Sequence, residues 1–135
     1  MRRTTTMIMA LGLIGGASLA SIRAVQAQVL ASGPLFGGPS EAIVQCYIAN
    51  VSASAVGLSN PQIIDEFNKP ETITNSNCPD TLAAGNVCRF NSKLASTDLG
   101  HYCSIDTVTT TAGQVRGGIE VRTTNNKILA TGEMR

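Results

Sequence analysis

Four cysteines and one histidine carry most of the reactive side-chain chemistry open to this 135-residue chain: Cys46, Cys78, Cys88, Cys103 and His101. Cysteines can ligate zinc, cycle between thiol and disulfide, or cross-link. Structural zinc favours close pairs such as C-x2-C, whereas 31, 9 and 14 residues separate the successive cysteines here. With His101 the only imidazole, no mixed ligand set replaces such pairs. The absence of a C-x-x-C spacing argues equally against a redox couple. Cross-linking is the remaining use, and an even number of cysteines in a short exported chain reads as a disulfide framework.

His101 has Asp98 three residues before it and Ser96 and Ser104 nearby. A Ser-His-Asp unit needs three groups converging on a pocket. Residues this close along a turn and strand rarely converge, so His101 reads as a polar residue at the start of a strand. A small hydrolase using His101 is the alternative. Asp65 and Glu66 are adjacent, and adjacent strand residues point to opposite faces. They read as a solvated turn rather than as an acid/base pair. With no phosphate-binding glycine loop and no histidine cluster, the expectation is a non-enzymatic protein without catalytic residues, cofactor or metal.

The elements that must position the cysteines begin after residue 27. The segment "MRRTTTMIMALGLIGGASLASIRAVQAQ" places Arg2 and Arg3 before an apolar run, then small residues ending in "VQA". That is the three-part pattern of a secretory signal, with cleavage expected between Ala27 and Gln28. A run of about 14 residues broken by glycines is too short for the roughly 20 that span a bilayer. The expected organisation is a signal peptide at 1–27 and one domain at 28–135, secreted or periplasmic, with no membrane span in the mature chain. Loss of Arg2, Arg3 and Arg23 leaves seven bases against nine acids. Those seven are scattered singly, which excludes the clustered basic surface that a nucleic acid requires.

Side-chain parity orients the cysteines. In "AIVQCYIANV", Val44, Cys46 and Ile48 share one face. In "HYCSIDT", Cys103, Ile105 and Thr107 share one face. Cys46 and Cys103 therefore both point inward and are placed to bridge facing sheets, which leaves Cys78 and Cys88 to close a local loop. Asp80 and Gly85-Asn86 supply turns in that loop, and Leu82 plugs it against the core. Strands are expected near 55–58, 62–65, 72–74 and 87–90, and then at 102–109, 115–123 and 127–133. A three-residue loop, Thr111-Ala112-Gly113, would pair Ile105 with Ile119 and Cys103 with Val121. A two-residue turn at Asn125-Asn126 would pair Thr123 with Ile128 and Val121 with Ala130. The fold class that results is all-β: an antiparallel β-sandwich of about seven strands with two disulfides. Its candidate binding face is the outward stripe Arg116, Glu120 and Arg122, with Leu129 beside Arg122. Asn50-Val51-Ser52 also matches a glycosylation sequon.

"CYIANVSASAVGLSNPQI" followed by "CPDTLAAGNVCRF" resembles the immunoglobulin-like modules of bacterial envelope proteins of the abnormal-spindle and choice-of-anchor groups. The likeness covers roughly residues 46 to 90. "DLGHYC" is similar to the tyrosine corner of immunoglobulin domains, but Tyr102 stands one residue before Cys103 instead of two, on the opposite face. The resemblance implies a binding or structural module of the cell envelope, with a protein or envelope component as partner. An inhibitor of a secreted enzyme is the alternative within binding.

Overall fold

The computed structural model describes residues 26–94, 99–109 and 114–135. Nine strands form two antiparallel sheets. The four-stranded sheet has the order β1 (Gln26–Ala31), β7 (His101–Thr109), β3 (Val56–Asp65), β5 (Thr81–Leu82). The five-stranded sheet has the order β4 (Asn75–Ser76), β6 (Val87–Lys93), β2 (Ile43–Asn50), β8 (Val115–Arg122), β9 (Ile128–Met134). The inner faces follow the expected alternation: Val44, Cys46 and Ile48 from β2 meet Cys103 and Ile105 from β7, all at most 1% exposed. Phe90 is the one aromatic ring among them.

Both disulfides form as parity indicates. Cys46–Cys103 joins β2 of one sheet to β7 of the other, and Cys78–Cys88 closes the local loop. Leu82 is buried at 2% and pairs with Val56, so it does plug that loop. Gly85, at φ 72°, and the bond from the Asn86 N–H to the Ala83 carbonyl make its turn. Disulfides of this kind fit an oxidising compartment. Among the described residues no helix is long and apolar enough to cross a membrane.

Several pairings differ from expectation. The hairpin between β7 and β8 does not form: Ile105 lies opposite Leu30 and Cys103 opposite Ile63, while Ile119 lies opposite Cys46 and Val121 opposite Val44. Both edges of β7 are occupied by β1 and β3, so the chain crosses to the other sheet. Parity is satisfied either way, because it assigns a face and not a neighbour. The connecting residues 111–113 lie outside the described residues. The stretches at 55–58 and 62–65 are one strand, β3, with a bulge between Ser59 and Gln62 where Asn60 takes φ 52°. Pro61, which has no N–H to donate, falls within that irregularity.

At the β8–β9 turn, Val121 faces Ala130 as expected, but Arg122, not Thr123, faces Ile128. The turn is longer than two residues, with the Thr123 N–H bonded to the Lys127 carbonyl at 2.9 Å and Asn126 at φ 61°. The extra residue is absorbed as a bulge before Ala130. Ile128 is thereby turned outward, 48% exposed, and Leu129 packs against the core. The short edge strand expected at 72–74 lies at Asn75–Ser76. β1 and β5 carry too little periodic signal to be expected. The boundary expected after Ala27 falls within β1, and residues 1–25 lie outside the described residues.

Candidate functional site

His101 begins β7 between two neighbours. Its N–H and carbonyl exchange bonds with Leu35 at 3.0 and 2.8 Å, and Asp65 of β3 lies opposite on the other side. It shares the inward face of Cys103 and Ile105, and its exposure is 0%. His101 is a strand-start residue as expected, and in addition a fully buried one with a buried neighbour.

Glu41, just before β2 and 1% exposed, places Oε1 2.7 Å from His101 Nδ1. The other carboxylate oxygen of Glu41 accepts the Gly37 N–H at 2.8 Å. Glu71 is the third member, with Oε1 3.8 Å from Nε2, beyond hydrogen-bond reach.

Two close approaches seal this group. A Cβ on Gly100 would lie 2.6 Å from the Phe36 ring, and one on Gly37 would lie 2.3 Å from Val121 Cγ1. A general base must come within about 3 Å of the proton it takes, and this imidazole is covered. Ser104 points to the opposite face of β7 from His101. Ser96 and Asp98 lie outside the described residues. Asp65 is not solvated: at 4% exposure, its Oδ1 accepts the N–H groups of Phe67 and Lys69 at 2.9 and 2.8 Å and so ties the turn after β3. Of the two carboxylates, Glu66 is the exposed one. Glu41 was not legible as a partner because a lone glutamate in "FGGPSEA" has no periodicity and its histidine is sixty positions away.

The stripe on β8 is more open. Arg116 is exposed, while Glu120 and Arg122 keep about a fifth of their side-chain surface, 21% and 20%. They belong to a network centred on Tyr47 of β2. The Tyr47 hydroxyl donates to Glu120 Oε2 at 3.0 Å and accepts from Arg122 Nη2 at 2.8 Å, and Gln45 also donates to it. Arg122 Nε donates to the same Glu120 oxygen at 2.8 Å. Burial, then the hydrogen bond to Glu120 and its negative charge, push the Tyr47 phenol above its ordinary range, with Arg122 and Arg89 opposing. The fourth expected member, Leu129, is not on this face. Ile128 stands beside Arg122 in its place.

Around the network stand Arg89, Lys93 and Arg116, exposed and without an ion pair among the described residues. Four of the seven bases after residue 27 thus share one sheet face. The sequence reading of scattered bases missed this, because Arg89 and Lys93 on β6 meet Arg116 and Arg122 only through β2.

Two other motifs resolve into structural roles. Asn50 of the sequon is 1% exposed, and its amide donates to the Ser54 and Leu82 carbonyls at 2.8 and 2.9 Å. No glycan can occupy that nitrogen in the folded chain. Tyr102 donates to Asn68 Oδ1 at 3.1 Å, which anchors the turn after β3. Among the described residues no group of three or more His, Cys, Asp or Glu is arranged to hold a metal. Comparison with protein-family models, with curated proteins and with solved structures finds no match.

Proposed function

We propose that this chain is an exported immunoglobulin-like module of the bacterial envelope, secreted or periplasmic, that acts by binding through the outer face of its five-stranded sheet. One observation carries the reading. That face presents Arg89, Lys93 and Arg116, without ion pairs among the described residues, around a preorganised Gln45–Tyr47–Glu120–Arg122 network, while the sole imidazole is sealed in the core. Preorganised polar groups lose little freedom when a partner docks. The signal-like segment at 1–27 and the two disulfides support export.

The test is capture from an envelope fraction on immobilised protein, wild type against Arg116→Glu and Arg89→Glu. Charge reversal on the face is expected to abolish capture of the partner while the melting temperature stays within a few degrees. Equal capture by all three proteins refutes the reading.

A further inference from the structure

The outer face contains a notch of a shape that admits a ligand. Gly118 of β8 lies directly opposite Tyr47 of β2. A glycine so placed is commonly covered by the ring across from it, but here Tyr47 leans toward Glu120 and Arg122, where its hydroxyl is bonded. The position of a Cβ on Gly118 has only the Gly132 carbonyl oxygen within 4 Å, at 3.4 Å. What remains is a depression of about 150 Å³ walled by Tyr47, Ala49, Arg116, Gly117 and Gly118. Arg116 stands at its rim, and Arg89 lies across Tyr47 from Gly118.

Resting on the binding reading above, the geometry points to an acidic saccharide as the ligand of this notch: a uronic-acid unit whose ring packs on the Tyr47 side of the notch and whose carboxylate meets Arg116. The occupant follows from three features. The Arg116 guanidinium, without an ion pair among the described residues, selects an anion and can bind a carboxylate in a fork geometry. The notch is about the size of one sugar ring and has an aromatic wall, Tyr47, on which a sugar ring can pack. It also lies over β2 and β8, interior strands hydrogen-bonded on both edges. An extended peptide adds to a free sheet edge, and none is available there.

The experiment is amide chemical-shift titration of the wild-type protein with trigalacturonate, maltotriose and triglutamate. Trigalacturonate is expected to shift the Gly117, Gly118 and Tyr47 amides saturably, with an affinity that falls as salt rises. Maltotriose is expected to leave them unmoved. Arg116→Gln should weaken trigalacturonate by about tenfold or more, the size of one lost charge-assisted contact. Gly118→Val should abolish binding by filling the notch. Triglutamate shifting the same amides as strongly overturns the saccharide assignment and leaves the binding face standing. No shift with any of the three overturns the assignment too, and the reading beneath it fails only if envelope capture is also indifferent to Arg116→Glu. The wild-type titration stands without the variants, so a misfolded Gly118→Val cannot rescue the proposal.

Discussion

Removing the two disulfides in turn should cost unequal amounts. Cys46 and Cys103 are separated by 57 positions, Cys78 and Cys88 by 10. On the loop-entropy relation these correspond to about 4 and about 3 kcal/mol at 25 °C. Burial widens the gap. Cys46 and Cys103 are both 0% exposed at the meeting of the sheets, so replacing both by Ala also leaves a void worth about 1–2 kcal/mol. Cys88 is also buried, at 2%, but Cys78 is only half-buried at the margin, so the 78/88 pair leaves the smaller void. Cys46→Ala/Cys103→Ala should therefore lose about 5–6 kcal/mol, against a total stability of roughly 5–15 for a domain, and Cys78→Ala/Cys88→Ala about half that. The assay is urea unfolding followed by far-UV circular dichroism, since the chain has no tryptophan, with m-values compared to detect a change in the denatured state. Equal losses, or a larger loss from the 78/88 pair, would refute the assignment of the inter-sheet bridge as the dominant cross-link.

The buried pair predicts coupling: His101→Leu and Glu41→Leu should each destabilise the fold by about 1–3 kcal/mol, the double variant Glu41→Leu/His101→Leu should lose less than the sum of the two, and additive losses in thermal melts would contradict the pairing. In Tyr102→Phe, where Tyr47 is the sole phenol, phenolate absorbance should rise with a midpoint above 10.0. Because the folded state holds that proton more tightly, the Tyr47 contribution to stability is complete below about pH 10 and is lost as pH climbs through the raised value. Tyr47→Phe should flatten that alkaline decline, and an unchanged slope would dismiss it. Gly37→Ala should destabilise by about 1–3 kcal/mol because its Cβ would lie 2.3 Å from Val121, whereas Gly118→Ala should stay within about 0.5 kcal/mol; matched melting temperatures would contradict the packing.

The alternation in "VQCYI" and "YCSID" made the inward cysteines, and hence both bridges, legible in the sequence, because parity is a local property of a strand. Partner choice is not local. Ile105 and Ile119 carry the parity of a hairpin pair, yet each has another neighbour, and nothing within their own segments records that β1 already occupies one edge of β7. The bulge that buries Leu129 and exposes Ile128 has the same character, since it depends on how the turn after β8 closes and changes the faces of those two residues before Ala130 returns to its expected partner Val121. The stripe on β8 was legible for the same reason as the cysteines. Its cationic neighbours on β6 and the Glu41–His101 pair were not, because each depends on contacts between distant segments.

The place of β1 has a consequence in time. Gln26 to Ala31 pair with Ser104 to Thr109, more than seventy positions later, and the Ala31 backbone closes on Arg135 by two hydrogen bonds of 3.1 and 2.9 Å. Among the described residues, β8 and β9 are the only sheet neighbours that also adjoin in the chain. A chain emerging from its N-terminal side therefore holds β1, with Val29 58% exposed even when docked, as an unpaired sticky ribbon until nearly all the rest has followed. Such non-local pairing slows folding, and an uncovered strand edge invites pairing with other chains meanwhile. Yield in the folded form should thus be governed less by the depth of the native well than by how long that first ribbon waits unattended.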